Sequence, residues 1–259
     1  MHRLIQRVSV ASDAMAHSFT VAFDIGNTLV DVDRIQNQAL DSTARALAER
    51  EIITSKVAFK KTYFEVESTI SGPAVNHLFS KPSDIMSLTL SRISVKSRTI
   101  LYFALSVYRD SVLNSIRPQH GLTAMLRSLR QQYRLAIISD GSIDDQILTL
   151  HRMGIIEFFD PIVISEEIGV MKPDKKIFEA LIEGAGTPAS HVLMVGNDSY
   201  RDIAGAKQAG MRTVWVKPPS HNARTSSDTA DATISFDEVH MLEPIVDRIF
   251  GEENACHGY

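Results

Sequence analysis

Residues 192–211 read VLMVGNDSYRDIAGAKQAGM, and this stretch decides the fold. The apolar run at its start is typical of a buried strand, and the polar residues around Asp198 end that run. The part from Ser199 to Gly210 carries apolar and small residues at helical spacing. A buried strand that leads through a short polar turn into a helix predicts one βα unit of a parallel sheet.

The same unit recurs along the chain after Pro118. Three more strands, separated by helical stretches of about 10–15 residues, are predicted at RLAIIS (134–139), PIVIS (161–165) and TVWVK (213–217). Strands that alternate with such helices imply a parallel sheet that is buried on both faces. We expect the apolar strand SFTVAF (18–23) to join this sheet, and ATISF (232–236) to add an edge strand before a closing helix.

Residues 32–118 have a different hydrophobic pattern. Four stretches there carry apolar residues at helical spacing, and Gly72-Pro73, Lys81-Pro82 and Arg117-Pro118 punctuate them. The predicted fold class is therefore α/β: a three-layer Rossmann-like parallel sheet core with an all-helical domain inserted after the first strand. The predicted domains are a flexible N-terminal lead-in (1–17), the α/β core (18–31 and 119–250), the helical insertion (32–118) and a flexible tail (251–259).

The composition indicates which partners and which cellular compartment to expect. Hydrophobic residues make up 44% and charged residues 22%, and the formal net charge of −4 argues against a nucleic-acid partner. No apolar run approaches the roughly 18 residues that cross a bilayer, so we expect no membrane partner. The single cysteine, Cys256, excludes an intrachain disulfide, and the N-terminus lacks the pattern of a secretory signal. We therefore expect a cytoplasmic protein, as a monomer or a homodimer.

Polar residues follow the predicted central strands, at the point where each strand ends. In an open parallel sheet, ligands bind at this edge. Taken singly, these residues have structural explanations, because a Ser or Asp ahead of a helix is usually a cap. Their occurrence at the same end of successive strands favours a site. The residues are Asp24 and Thr28 after the first strand, Ser139, Asp140 and Gly141 after RLAIIS, Lys172 ahead of Pro173, and Asp198 and Asp202 after VLMVG.

The order of these residues resembles the haloacid dehalogenase-like superfamily of phosphohydrolases. That superfamily carries an Asp at the end of the first strand in a DxDxT pattern, a Ser or Thr that ends the second, a Lys usually followed by Pro, and an acidic pair of the GDxxxD type. The resemblance covers residues 19–31 and 119–250, and the insertion is similar in architecture alone to the family's helical cap. The matching positions are Asp24 to Thr28, Ser139, Lys172-Pro173, and Gly196 with Asp198 and Asp202.

The resemblance implies a Mg²⁺-dependent phosphatase or phosphotransferase that acts on a small phosphorylated metabolite. Asp24 would attack phosphorus and carry the phosphoryl group as an aspartyl phosphate. Mg²⁺ would offset the repulsion between this carboxylate and the phosphate dianion, and the cap would close over the site. The implied roles are catalysis by Asp24, Thr28, Ser139 and Lys172, substrate binding by Gly26, Asn27, Asp140 and Gly141, and Mg²⁺ coordination by Asp24, the carbonyl of Gly26, Asp198 and Asp202.

Two positions depart from the family's pattern. Asn197 stands directly after Gly196, where relatives often carry Asp, so the metal contact is assigned to Asp198 one place later. Gly26 stands where the family has a second Asp that protonates the leaving group and activates water. General acid–base help of this kind is worth about 10²–10⁴ in rate.

Several interpretations of Gly26 stay open. In one interpretation the leaving group needs no proton. In another, the acid comes from the substrate, from the insertion, or from the nearby Asp31 and Asp33. Alternatively, the enzyme retains the phosphoryl group and passes it to an acceptor, or the protein is a weak or inactive relative.

Three other functions compete with a phosphatase. The string DIGNT (24–28) also occurs in the actin and sugar-kinase group, where a β-hairpin surrounds the ATP phosphates and a second strand must follow at once. A carbon–halogen hydrolase of the superfamily carries a bulky residue at the position of Gly26, and a carbon–phosphorus hydrolase needs a Schiff-base lysine, for which Lys60 and Lys61 are candidates. A regulator with the same fold would bind a phosphorylated ligand without turnover, and Gly26 favours that interpretation.

Overall fold

The computed structural model describes residues 17–71, 82–217 and 229–256. Its strands form one six-stranded sheet in the order β3-β2-β1-β4-β5-β6, and every neighbouring pair is parallel. The predicted parallel sheet, which the first strand joins, is confirmed, and the structure places that strand inside the sheet between β2 and β4. The strands are β1 (Thr20–Phe23), β2 (Arg134–Ser139), β3 (Ile162–Ile164), β4 (Val192–Gly196), β5 (Arg212–Lys217) and β6 (Ala232–Ser235).

The described residues also form ten α-helices, of which the first five lie between β1 and β2 and the first four belong to the insertion. No helix within the described ranges has the length and apolar content needed to cross a bilayer. The helices are α1 (Val32–Ala48), α2 (Lys56–Ser71), α3 (Pro82–Arg92), α4 (Arg98–Ser115), α5 (Leu122–Leu129), α6 (Ile143–Met153), α7 (Ser165–Ile168), α8 (Lys175–Ala185), α9 (Gly205–Gln208) and α10 (Glu243–Cys256).

Strand β1 is buried on both faces and positions the first site residue. Side chains alternate between the faces of a strand, so that Phe23 belongs to one apolar cluster and Ala22 to the other. Phe23 pairs with Ile137 of β2 and with Val195 of β4. The next residue, Asp24, therefore lies level with the carboxyl ends of both neighbouring strands.

The insertion is a bundle of four helices in which α1 packs along α4 and α2 packs along α3. Its buried side chains include Ile35 and Leu47 of α1, Tyr63 of α2 and Tyr108 of α4. The same apolar cluster contains Phe23 of β1, so the bundle and the sheet share one continuous core. The helical content agrees with the sequence pattern, and the closing movement of a cap stays a prediction.

The chain after β4 differs from the single helix that the sequence predicts over residues 199–210. It starts as a π-helix, Ser199–Ala204, and continues as α9. The carbonyl of Asp198 accepts from the backbone N of Asp202 at 2.9 Å and of Ile203 at 3.2 Å, and the second bond spans five residues. Such wide turns occur frequently at functional sites, and this one contains Asp202.

Helix α10 extends beyond the predicted end of the core. The sequence analysis ends the core at residue 250 and assigns 251–259 to a flexible tail, but α10 continues to Cys256. Gly251 does not end the helix, because one glycine inside a helix costs only about 1 kcal/mol relative to alanine. Residues 1–16 of the predicted lead-in and residues 257–259 of the predicted tail lie outside the described residues.

Glycine at position 205 lets the helix after β4 pack closely against the segment that follows Lys172. A Cβ at this position would lie 2.6 Å from Cε2 of Phe178 and 3.0 Å from Cβ of Pro173. Because interiors are packed as densely as crystals of small molecules, this approach requires a residue without a side chain. Gly205 therefore fixes the distance between two segments that carry predicted site residues.

We predict that Gly205→Ala lowers the free energy of unfolding by about 1–3 kcal/mol, because the added methyl group overpacks this contact. Urea denaturation measures the change. The matched control is Gly251→Ala, where nothing lies within 4 Å of an added Cβ and stability should stay the same or rise slightly. Equal stability of Gly205→Ala and the wild type would contradict the close packing.

Candidate active site

Lys172 is buried, and its ammonium group lies among three oxygens. Its Nζ donates to Oδ1 of Asp24 at 2.7 Å and to the carbonyl of Ile138 at 3.1 Å, and it lies 2.8 Å from Oδ1 of Asp202. Only 4% of the residue is exposed. A lysine has three N–H donors, which matches the three oxygens around it. Lys172 therefore ties the end of β1 to the helix after β4.

Asp24 follows β1 directly, and both of its carboxylate oxygens are held. Oδ1 accepts from Lys172, and Oδ2 accepts from Oγ1 of Thr28 at 3.3 Å. The same Thr28 hydroxyl lies 3.4 Å from Oδ1 of Asn197. A hydroxyl has one proton, so that it satisfies one of these two acceptors at a time. Oxygens from two different strand ends thus converge beside Asp24.

Four carboxylates surround two cations in the site, which leaves an excess of negative charge. Burial on its own lowers the pKa of Lys172, but the carboxylates of Asp202 and Asp24 raise that pKa by more. Burial raises the pKa of Asp202 above its ordinary value, although Lys172 opposes the rise. A bound cation relieves such an excess. The carboxylates are those of Asp24, Asp140, Asp198 and Asp202, and the cations are Lys172 and Arg201.

Asp140 supports the segment that carries Lys172. Its Oδ1 accepts from the backbone N of Lys172 at 2.9 Å, and its Oδ2 lies 3.4 Å from NH1 of Arg201. Burial raises the pKa of Asp140. The carboxylate predicted to bind substrate is therefore engaged with the protein itself, and a substrate contact of Asp140 stays a prediction.

Ser139 ends β2, as the sequence predicts. Its hydroxyl donates to Oε1 of Gln146 at 3.2 Å. Gly141 has a φ of 131°, and a Cβ there would lie 2.7 Å from Nε2 of Gln146. Only glycine adopts this backbone conformation readily. The conformation of the turn therefore explains why residue 141 is a glycine. Its contact with a substrate stays a prediction.

Asp198 caps the helix that follows β4. Its Oδ1 accepts from the backbone N of Tyr200 at 3.0 Å and of Arg201 at 2.7 Å, and its Oδ2 accepts from Nε of Arg201 at 2.9 Å. Burial on its own raises the pKa of Asp198, but the bonds and charge of Arg201 lower it by more. The carboxylate is thus engaged in capping and ion pairing, the ordinary role of an Asp ahead of a helix.

Asn197 contacts Thr28, the residue whose hydroxyl also bonds Asp24. Besides its contact with Thr28, its carbonyl accepts from Nε1 of Trp215 at 2.8 Å, which holds the turn against β5. The preceding Gly196 is required, because a Cβ there would lie 2.6 Å from Cγ of Asp202. The metal contact of Asp198, assigned from sequence spacing, stays a prediction, and Asn197 offers a further oxygen in the same turn.

Gly26 and Asn27 lie in the turn that leads from β1 to α1. Asn27 has a φ of 55°, a conformation that Asn tolerates better than most residues. Its backbone N donates to the carbonyl of Val30 at 2.7 Å, and its Oδ1 accepts from the backbone N of Val32 at 2.9 Å. Its Nδ2 donates to Oδ1 of Asp33 at 3.2 Å. The Asn27 side chain thus starts α1, and the substrate contacts of both residues stay predictions.

The converging oxygens fit Mg²⁺. Within the described ranges, no three side chains of His, Cys, Asp or Glu are arranged as a metal site. The atoms that do converge are carboxylate and amide oxygens, from Asp24 and Asn197. Mg²⁺ prefers oxygen ligands and needs only one or two carboxylates, because it keeps several waters. The donor set and the excess of negative charge therefore agree with this ion.

Three residues of the site were not found from the sequence. Arg201 pairs with Asp198 and Asp140, and its position three residues after Asp198 is a detectable signal of contact along a helix. Gln146 and Trp215 carry no such signal. They reach the site through the packing of α6 and β5, which local spacing does not specify.

Two alternative functions are disfavoured by the structure. The actin and sugar-kinase group needs a strand after the DIGNT turn, whereas α1 begins there, at Val32. The lysines considered for a Schiff base, Lys60 and Lys61, pair with Asp41 and Glu65. Both lysines are thus engaged with carboxylates of the insertion itself.

Comparison with known proteins finds similar chains. A family model described as haloacid dehalogenase-like hydrolase matches residues 21–216. Glyceraldehyde 3-phosphate phosphatase of Pyrococcus abyssi (strain GE5 / Orsay) is 31% identical over 200 residues, which cover 76% of this chain and 80% of that protein. Pyrimidine 5′-nucleotidase YjjG of Escherichia coli (strain K12) is 38% identical over 130 residues. These residues cover 50% of this chain and 56% of that protein, so this chain spans little more than half the length of that relative.

A solved structure shares the fold. The HAD-hydrolase YfnB from Bacillus subtilis, bound to magnesium, superimposes with a TM-score of 0.64 and 21% identity over 89% of this chain and 99% of that one. At this identity the likeness bears on the fold alone. The family match, in contrast, spans most of the chain, from β1 to the end of β5. Together with the ordered strand-end residues and the buried lysine, it shows that this chain belongs to the haloacid dehalogenase-like hydrolases.

Proposed function

We propose that the protein is a Mg²⁺-dependent phosphomonoester hydrolase with Asp24 as its nucleophile. The observation that carries the proposal is the buried ammonium group of Lys172, 2.7 Å from Asp24 and 2.8 Å from Asp202. A fixed positive charge at the attacking carboxylate stabilises the phosphoryl oxygens as charge develops on them. The hydroxyls of Thr28 and Ser139 are the hydrogen-bond donors for the same oxygens.

The reaction runs in two steps. In the first, an oxygen of Asp24 forms a bond to phosphorus while the bond from phosphorus to the ester oxygen breaks, and the leaving alkoxide takes a proton from solvent. In the second, water attacks the phosphorus of the aspartyl phosphate, the bond from phosphorus to the Asp24 oxygen breaks, and the proton that water loses returns to solvent, which releases inorganic phosphate and restores the carboxylate. Lys172 stabilises the transferring group in both steps, because its charge does not move.

Mg²⁺ would be held by oxygens of Asp24, Asn197 and the carbonyl of Gly26, with Asp202 behind them. When bound, the ion supplies the charge that offsets repulsion between the carboxylate and the phosphate dianion. The excess of carboxylates over cations in this site supports a bound cation.

The relatives support a small phosphorylated substrate. One is named for glyceraldehyde 3-phosphate and another for pyrimidine nucleotides. The helical insertion would act as the cap, which excludes water and reads the organic part of the substrate. Asn27, in the turn that follows Asp24, donates a hydrogen bond to Asp33 of α1, and this contact between the turn and the insertion supports that role.

We predict that Asp24→Asn lowers kcat for p-nitrophenyl phosphate by about 10³-fold or more, because an amide oxygen is a poor nucleophile. Release of p-nitrophenol in the presence of Mg²⁺ measures the rate. The control is Asp41→Asn, an exposed acid of the insertion that pairs with Lys60, and it should retain the wild-type rate. Turnover near the wild-type rate in Asp24→Asn would remove the nucleophile assignment.

We predict that Asn197→Ala raises the Mg²⁺ concentration at half-maximal rate by about 10-fold or more, because one oxygen donor is lost. Asp198→Ala should instead lower the free energy of unfolding by about 1–2 kcal/mol, through loss of the helix cap, with a smaller change in Mg²⁺ requirement. Mg²⁺ titration of the rate and urea denaturation separate the two effects. A larger Mg²⁺ effect in Asp198→Ala would return the metal contact to that residue.

We predict that Gly26→Asp speeds hydrolysis of an alkyl phosphate by about 10-fold or more, since general acid help is worth about 10²–10⁴ in full. Gly26 is not among the glycines with positive φ, so aspartate has this backbone conformation available. An aryl phosphate needs little protonation and should gain much less. An unchanged ratio of alkyl to aryl rate would show that another group already supplies the proton.

A regulator that binds a phosphorylated ligand without turnover is the second candidate, and Gly26 favours it. It predicts no Mg²⁺-dependent turnover of p-nitrophenyl phosphate and no reaction of Asp24 with acetyl phosphate or beryllium fluoride. Either reaction would exclude an inert binding protein.

A further inference from the structure

Five polar residues form a row across the helical insertion, outside the site described above. We call this row the polar seam: it consists of Asp33 and Gln36 of α1, Tyr63 and Glu67 of α2, and Tyr108 of α4. Nε2 of Gln36 donates to Oε1 of Glu67, and the rings of Tyr63 and Tyr108 stack with their centroids 6.1 Å apart. The seam therefore joins three of the four helices.

The two tyrosine hydroxyls of the seam are buried next to each other and to the Gln36 side chain. Both residues are 0% exposed, neither hydroxyl forms a well-aligned hydrogen bond within the described residues, and contacts with each other and with Gln36 affect the pKa of both. Burial raises the pKa of Tyr63 to about 12, and the neighbouring Glu67 carboxylate adds to the rise. An unpaired buried hydroxyl destabilises a protein relative to phenylalanine. A change of partner at the neighbouring Gln36 would give these hydroxyls a partner, which explains why both residues are tyrosine.

The seam begins at the turn that carries the nucleophile. Asn27, three residues after Asp24, donates to Asp33 at 3.2 Å. Asp33 and Gln36 lie one helical turn apart on α1. Burial raises the pKa of Glu67, and the charge of the Asp33 carboxylate adds to that rise. A molecule whose phosphate lies at Asp24 would therefore bring its organic part to the seam.

The seam is acidic, and no ion pair neutralises it. Among the described residues, the lysines of α2 pair with Asp41 and Glu65, and neither Asp33 nor Glu67 forms an ion pair. A carboxylate or a second phosphate on the ligand would meet like charge in a site of low dielectric. Hydroxyl groups, in contrast, donate to carboxylates and accept from amides and phenols.

We infer that the polar seam binds the leaving group, and that the substrate is a phosphomonoester whose organic part is uncharged and carries hydroxyl groups. This inference rests on the proposed function. Gln36 and Glu67 are partly exposed and contact the substrate, and the tyrosines are positioning residues behind them. When a substrate hydroxyl donates to Glu67 in place of Gln36, the released amide has a tyrosine hydroxyl as its next partner. The exchange then leaves no polar group unpaired.

Glycerol 3-phosphate and 3-phosphoglycerate test the charge of the leaving group, because the second carries a carboxylate. The wild type should prefer glycerol 3-phosphate in kcat/KM by about 10-fold or more, and Glu67→Gln should reduce this preference by about 10-fold, mainly through a lower KM for 3-phosphoglycerate. Glu65→Gln, an exposed acid on the same helix, should keep the wild-type preference. An unchanged preference in Glu67→Gln, or a wild-type preference for the carboxylate, overturns the inference.

Tyr63→Phe and Tyr108→Phe test the positioning role. Each should raise KM for glycerol 3-phosphate by about 3-fold or more without lowering the melting temperature, since each removes an unpaired hydroxyl. A purely structural role would change the melting temperature and leave KM unchanged. That result would remove the tyrosines from the subsite.

Turnover of p-nitrophenyl phosphate by the wild type tests the proposed function separately. If it is present and the preference for glycerol 3-phosphate is absent, the subsite alone is wrong. If it is absent, titration calorimetry of both ligands with Asp24→Asn in Mg²⁺ still decides the inference. Tighter binding of glycerol 3-phosphate supports the subsite, and equal or tighter binding of 3-phosphoglycerate overturns it.

Discussion

The site depends on one buried ammonium group. Lys172 holds together two carboxylates, Asp24 and Asp202, that come from distant parts of the chain. Without it they would face each other unpaired in the interior, and removal of one partner from a buried ion pair costs about 3–5 kcal/mol. The lysine depends in turn on Asp140, which binds its backbone N, and on Gly205, which allows the neighbouring helix to approach.

The start of the helix after β4 serves stability and chemistry with different residues. Asp198 caps this helix and pairs with Arg201, so its oxygens satisfy the protein itself. The adjacent Asn197 presents an oxygen beside Thr28 and Asp24. A neutral amide at this position adds a donor without adding to a site that already holds more carboxylates than cations. This division explains how the turn tolerates Asn where relatives often carry Asp.

The core lacks a side chain at Gly26, whereas the insertion brings polar groups to the same turn. Asn27 connects that turn to Asp33, and the polar seam continues through Gln36 and Glu67. In the proposed function, recognition of the leaving group falls to the helical bundle, which packs on the sheet through one shared apolar core.

The parallel sheet, the helical insertion and the positions of Asp24 and Ser139 at strand ends follow from the sequence alone, and so does the place of Lys172 in the loop before Pro173. The reason is that hydrophobic periodicity is local and the carboxyl ends of parallel strands meet at one edge. The sequence pattern assigns the metal contact to Asp198, whereas in the folded chain Asp198 caps the next helix and Asn197 contacts Thr28. The tertiary structure alone decided the partners of Lys172 and the meeting of α1, α2 and α4 in the polar seam, because contacts across long stretches of chain leave no periodic trace in the sequence.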